Sequence, residues 1–290
     1  MPLSRRQFLR RAFWSTVTLS LGGTAYTRLI EPHRVQVTHH DIPLPGLARA
    51  LDGVTIAQLT DLHRSALVDR PYLERCVRRA NALHPDLIVF TGDYLTHGRN
   101  ERSRVAYGDD DPADLIRDCA ACMAQAQARH GVFASLGNHD LWYDGNIVTR
   151  TIESVGIHVL RNKNTTVSIN GAPLPVVGLG DLWTEGLNFP TAFAGIETPA
   201  IVLMHNPDGF EHWSQPGNHL ILAGHTHGGQ VNLPVLGAPV VPSFYGQKYA
   251  QGLFHRDGTT MYVNRGVGVI WPGVRLNCRP EISVFHLRSV

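Results

Sequence analysis

The residues able to do chemistry lie in five short stretches: Asp61-Leu62-His63, Gly92-Asp93, Gly137-Asn138-His139-Asp140, His205, and Gly224-His225-Thr226-His227. They offer carboxylate, imidazole and amide oxygen and no thiolate, a donor set suited to divalent manganese, iron or zinc. In Asp-x-His and His-x-His both side chains fall on the same side of an extended segment, because strand side chains alternate with period two, so one cation can take both. Asn138 can lend a carbonyl oxygen to a hard cation, and His139 can donate a proton. Seven candidate ligands, Asp61, His63, Asp93, Asn138, His205, His225 and His227, are too many for one tetrahedral site. They suit two ions sharing a carboxylate, roughly 3.5 to 4 Å apart, the arrangement that clamps both oxygens of an in-line displacement at phosphorus. Taken singly, each stretch also reads as an ordinary turn or a satisfied histidine.

Each stretch follows an apolar run that reads as a buried strand: 53–59, 87–90, 132–136, 200–204 and 220–223. Runs that do not alternate suit strands covered on both faces, and polar residues at strand ends are where α/β sheets place their chemistry. Helices are expected over 71–83, with Pro71 in the first turn, over 113–129 and over 146–155. Between them the tetrapeptide at 137–140 reads as a polar turn. A strand is expected near 157–160, and residues 165–177 read as a hairpin turning at Asn170-Gly171. Segments 178–199 and 234–252 read as loops, the second rich in Pro, Gly and aromatics. The tail, 260–287, alternates like strands.

In this order the five stretches resemble the motif series of the calcineurin-like metallophosphoesterases, over roughly residues 54–230. The resemblance implies an α/β fold, a four-layer sandwich of two mixed β-sheets flanked by helices. It further implies two divalent ions: one held by Asp61, His63 and His227, the other by Asn138, His205 and His225, with Asp93 bridging. A hydroxide between the ions would be the nucleophile, and His139, not a ligand, would orient the phosphate or protonate the leaving oxygen. Arg64 is a candidate phosphate contact, since guanidinium pairs well with phosphate oxygens. Asp140 either orients His139 or closes the turn.

The amino terminus is of another kind. Ser4-Arg5-Arg6-Gln7-Phe8-Leu9-Arg10-Arg11 precedes an uncharged, mildly apolar run, 12–23. A basic head and a short apolar body make an export signal, and the paired arginines resemble those read by the bacterial twin-arginine export machinery. Residues 1–30 are therefore expected to be an export signal or membrane anchor and 31–290 the phosphoesterase domain, placing the protein in the periplasm or on a membrane facing it. Together, signal and motifs resemble exported bacterial phosphodiesterases. The first 25 residues hold four arginines and no acid, which leaves 22 basic against 24 acidic residues in the remainder. That balance argues against a nucleic-acid binder relying on a basic surface. Of the four cysteines, some could pair in an exported protein; Cys119-x-x-Cys122 sits in a helical run without a second cysteine pair to complete a zinc site, so that pair is expected to be small buried helix residues.

The reading is thus a metal-dependent phosphodiesterase whose substrate derives from lipid or the cell envelope, with peripheral membrane contact. Two alternatives accompany it. One is a UDP-2,3-diacylglucosamine pyrophosphatase of the same superfamily, for which the apolar stretch 234–249 would border a lipid groove. The other is a scaffold that keeps the fold without catalysis.

Overall fold

The strands form where apolar runs can be covered on both faces. In the computed structural model, which describes residues 5–7, 14, 22–97 and 110–290, β2 (Thr55–Leu59) and β3 (Leu87–Thr91) are buried almost throughout. They belong to a six-stranded sheet ordered β1 (Gln36–Leu44), β12 (Glu281–Ser289), β2, β3, β4 (Val132–Ser135), β5 (His158–Val159). A second six-stranded sheet runs β10 (Gly252–Arg256), β11 (Thr259–Val263), β9 (Leu220–Ala223), β8 (Ile201–Leu203), β7 (Ala172–Gly178), β6 (Lys163–Ile169). Both are mixed: β2, β3, β4 and β5 are mutually parallel beside an antiparallel β12, and β7, β8, β9 and β11 are parallel between antiparallel β6 and β10.

Period two divides each strand between two cores. Ile56, Leu87 and Val89 meet Ile201, Leu203, Leu220 and Leu222 between the sheets. Their neighbours Ala57, Leu59, Ile88 and Phe90 face helices α1 (Arg70–Asn81), α2 (Pro112–Met123) and α3 (Asn138–Glu153). On the far side, Val202, Ile221 and Ala223 are covered by Phe193, Phe210, Trp213 and Tyr249, from segments that carry short helical turns at Phe189–Ala192 and Pro207–His212. Two sheets between two outer coverings form the expected four-layer sandwich.

Most elements lie where the sequence places them, and the exceptions have local causes. The hairpin turn is as expected, with Asn170 and Gly171 both at positive φ, 51° and 78°, the backbone of a type I′ turn. Helix α2 stops at Met123 because Asn81 binds the chain beyond it, donating to the Gln125 carbonyl and accepting from the Gln127 N–H. Helix α3 begins at Asn138, so the residues read as a turn are its first turn. The expected helix over 146–155 is its second half, restarted where Asp144 breaks the helix (φ −166°, ψ 101°) and accepts from the Asn146 and Ile147 N–H groups. Edge strands β1 and β10 have no counterpart in the sequence reading. All four cysteines are buried and free.

Most of the amino-terminal segment, including Arg10, Arg11 and most of the apolar run, lies outside the described residues. Its end is tied to the body: the Thr27 carbonyl accepts from the Arg275 N–H, and buried Glu31 accepts from the Cys278 N–H. No helix among the described residues is long and apolar enough to cross a membrane.

Leu222, fully buried between the sheets, tests this packing. Leu222→Ala is expected to lower unfolding free energy by about 2 to 5 kcal/mol in urea titration; a loss under about 1 kcal/mol would mean that the sheets do not pack there.

Candidate metal centre

The carboxyl ends of β2, β3 and β4 from one sheet and of β8 and β9 from the other meet at one edge of the sandwich. Cross-sheet bonds hold them there. His205, after β8, places Nδ1 2.6 Å from the Thr91 carbonyl at the end of β3. The His225 N–H, after β9, donates to the Asp61 carboxylate after β2. Gln58, buried between the sheets, donates to the Ala223 carbonyl and to Thr91.

The backbone turns sharply to bring side chains inward. Asp61, His63, Asp93, His225 and His227 all adopt left-handed φ, between 49° and 71°, at a cost of order 1 to 3 kcal/mol each. Such strain persists only where surrounding bonds over-determine it: the Asp61 N–H donates to the Gly92 carbonyl and the His63 N–H to that of Asp93. Two glycines permit the approach. A β-carbon on Gly137 would overlap Asp93 Oδ1, and one on Gly224 would overlap Asp61 Oδ2 and Thr60.

Six of the seven ligands named from sequence, and His139, form a connected buried cluster. Asp61, His63 and His227 make one group, His63, Asp93 and His139 a second, and Asp93, His205 and His225 a third, each with atoms close enough to share one cation. Asp93 Oδ2 lies 3.5 Å from His63 Nε2 and 3.1 Å from His205 Nε2. His227 Nε2 lies 3.4 Å from Asp61 Oδ1 and 3.0 Å from His63 Nε2. The seventh, Asn138, is buried at the start of α3, and its Oδ1 has no hydrogen-bond partner among the described residues; the same holds for Nε2 of His225. Unpaired buried acceptors are costly, and a divalent cation satisfies them. His63 and His205 are each fixed through Nδ1, by Thr96 Oγ1 and the Thr91 carbonyl, the outer bond typical of metal-ligating histidines. The residues therefore fit the metal that the chemistry of the donor set calls for.

Electrostatics support the same fit. Burial, reinforced by Asp93, pushes Asp61 up to about 7. Burial alone would lower His205, but Asp93 beside it, with Asp61 and Asp181, raises it to about 10. Burial would raise Asp93, yet the imidazoles of His205, His139 and His63 hold it well below the usual carboxylate range. Burial, then neighbouring imidazoles, takes His225 down to about 3. Carboxylates and imidazoles stripped of solvent and packed against one another are poised for a cation, which would displace the protons they hold.

His139 joins the cluster from the first turn of α3. Its Nδ1 lies 2.6 Å from the His97 carbonyl, its backbone N–H donates to Asp93 Oδ1, and its ring stands edge-on to His63 with centroids 4.8 Å apart. Of the two roles read for Asp140, the structure shows the closing of the turn: both oxygens accept backbone N–H groups, from Asp93, Tyr94 and Gly137. Arg64 is not brought into the cluster; its guanidinium pairs with Asp118 and donates to the Ser65 and Val68 carbonyls. The sequence reading also leaves out Asp181. It is buried near His205 and Asp93, and burial, with Asp93 adding and His205 opposing, pushes its carboxyl up to about 6. Among the described residues its Oδ2 has no hydrogen-bond partner, nor does Nε1 of Trp183, whose ring stands edge-on to His225 at 4.4 Å. The overlooked signal is its position just past the end of β7, where every other site residue follows a strand. Asp140→Ala, which strands three buried N–H groups, is expected to destabilise the protein by at least about 2 kcal/mol in urea titration, whereas Arg64→Ala should leave metal content unchanged by elemental analysis.

Comparison with known proteins agrees with this geometry. The family model described as calcineurin-like phosphoesterase matches residues 54–229. The chain is 32% identical to the uncharacterized metallophosphoesterase YkuE of Bacillus subtilis, over 99% of this chain and 98% of that protein. It is also 32% identical to the phosphodiesterase YaeI of Escherichia coli, over 98% and 99%, and 26% identical to the UDP-2,3-diacylglucosamine pyrophosphatase LpxG of Chlamydia muridarum, over 89% and 90%. With the motif stretches gathered at one sheet edge and relatives matched along their full length, the chain belongs to the calcineurin-like phosphoesterases and is a metal-dependent phosphoric ester hydrolase.

Proposed function

We propose that this hydrolase is a dinuclear phosphodiesterase, with Asp61, His63 and His227 holding one divalent ion, Asn138, His205 and His225 the other, and Asp93 between them. The observation that carries the reading is the position of Asp93 Oδ2, between His63 at 3.5 Å and His205 at 3.1 Å, each in a separate ligand group. A relative named as a phosphodiesterase supports a diester substrate. Two ions there supply Lewis-acid charge and activate water at neutral pH. The chain's own residues do the rest. The His139 N–H holds Asp93 in place through Oδ1, while the His139 ring, fixed through Nδ1 by the His97 carbonyl, orients the phosphate or passes the proton released by the attacking water to the leaving oxygen. Thr96 and the Thr91 carbonyl keep the imidazoles of His63 and His205 in the orientation that binds.

The relatives named as UDP-2,3-diacylglucosamine pyrophosphatases favour a second reading, cleavage of a pyrophosphate in an acylated nucleotide sugar; parallel assays on that substrate and on a simple diester separate the two. The basic, uncharged-apolar leader supports action outside the cytoplasm. Cell fractionation of the Arg5→Lys, Arg6→Lys double variant should then find the protein retained inside.

Three outcomes test the site. Asp93→Asn should cut turnover of bis(p-nitrophenyl) phosphate by at least about 100-fold and lower metal content below that of the wild type; normal turnover would refute the assignment. Asn138→Ala should lose metal, whereas His139→Gln should keep it and slow turnover by about 10² to 10⁴. Metal affinity should fall with acidification: Asp61, raised to about 7, and His205, raised to about 10, bind protons that a cation must displace. Below pH 7 both compete, so a chelator titration should show about a tenfold loss per pH unit for each proton displaced, and equal affinity at pH 6 and pH 8 would contradict it.

A further inference from the structure

Next to the metal centre a cleft of about 400 Å³ opens between segments 229–242 and 270–274. Buried Thr226 and His227 form its deep end, so it is continuous with the ligand set, and Val231, Val240, Pro242, Ile270, Trp271 and Val274 line the rest. Two of its polar side chains are already engaged: Gln230 donates to the Ile270 carbonyl and accepts from the Ile270 N–H, and Thr226 donates to the Ala250 carbonyl. A ligand group entering from the metal centre thus meets a mainly apolar wall.

The mouth is apolar as well. Val240 and Trp271 are 75% and 61% exposed. Beyond them a tight turn closed by Leu233 and Gly237 holds Val235 and Leu236 out in solvent, with Val235 at φ 70°. A β-branched residue in that region is strained, and here the strain serves to present an apolar tip. Of these exposed apolar side chains, Val240 and Trp271 line the cleft itself, and apolar groups exposed at a cleft mark a binding surface.

We propose that this cleft takes the alkyl or acyl chain of an amphipathic phosphodiester whose phosphate lies at the metal centre, making the enzyme a lipid phosphodiesterase. The proposal rests on the dinuclear phosphodiesterase reading. It assigns specificity to Val240, Ile270 and Trp271, none of which belongs to the metal centre.

The test uses the metal-loaded full chain and p-nitrophenyl methyl, butyl and octyl phosphate, which share one scissile bond, all below their micelle concentrations. Buried methylenes contribute about fourfold each, so kcat/KM should rise at least about tenfold from methyl to octyl. In Val240→Asp, a change at an exposed position, the rise should vanish while the methyl ester reacts at the wild-type rate. As a readout without turnover, 11-(dansylamino)undecanoic acid should bind the wild type, with a fluorescence gain, and bind Val240→Asp at least about tenfold more weakly. Equal rates on methyl and octyl esters, a rise confined to micellar substrate, or equal probe binding by both proteins would overturn the cleft assignment and leave the phosphodiesterase standing. Absence of turnover on every diester would instead remove the phosphodiesterase reading, and the lipid assignment with it.

Discussion

A carboxylate buried without solvent must be answered from every side, and the structure is arranged to answer for Asp93. One oxygen accepts the His139 backbone N–H, the other faces His63 and His205, and its own N–H is taken by Asp140. These residues come from both sheets, so they can surround one carboxylate only if the strand ends of both sheets share an edge. The inter-sheet core of Ile56, Val89, Leu203 and Leu222 sets that alignment. Hydrophobic packing here acts on chemistry through position, placing groups that belong to distant stretches of chain within a few ångströms.

The cost of this arrangement appears in the backbone. Aspartate and histidine adopt left-handed φ more readily than most residues, but Asp61, His63, Asp93, His225 and His227 all do so at this one site. The strain is balanced by bonds that cross between loops. The Gly268 N–H donates to the Asp61 carbonyl, and the buried Arg275 guanidinium gathers the carbonyls of Arg265, Gly266, Gly268 and Cys278. The carboxy-terminal loop between β11 and β12 therefore acts as a brace behind the first ligand.

The same loop divides two environments. Toward the strand ends lie unpaired nitrogens and oxygens that need a cation. Past His227 lies a mainly apolar wall, lined by Val231, Val240, Pro242, Ile270, Trp271 and Val274. The proposed substrate, with a polar head and an apolar tail, would match both.

What the sequence determined by itself was the donor chemistry and its placement at strand ends. Residue type fixes which atoms can ligate, and period-two burial is a local pattern, so β2, β3, β8 and β9 and the residues that follow them were legible. The type I′ turn at Asn170-Gly171 was legible for the same reason, since its backbone follows from those two residues. Partner choice was not legible. Whether Asp140 binds His139 or backbone N–H groups, whether Arg64 reaches phosphate or Asp118, and whether Asp181 joins the cluster depend on residues far apart in sequence. Helix α3 starting at Asn138 is of this kind as well, because a helix start read as a turn is recognised only when Asp140 is seen accepting the Gly137 N–H. Those outcomes were decided by tertiary structure, since a buried polar group takes the partner that three-dimensional packing leaves within hydrogen-bond reach.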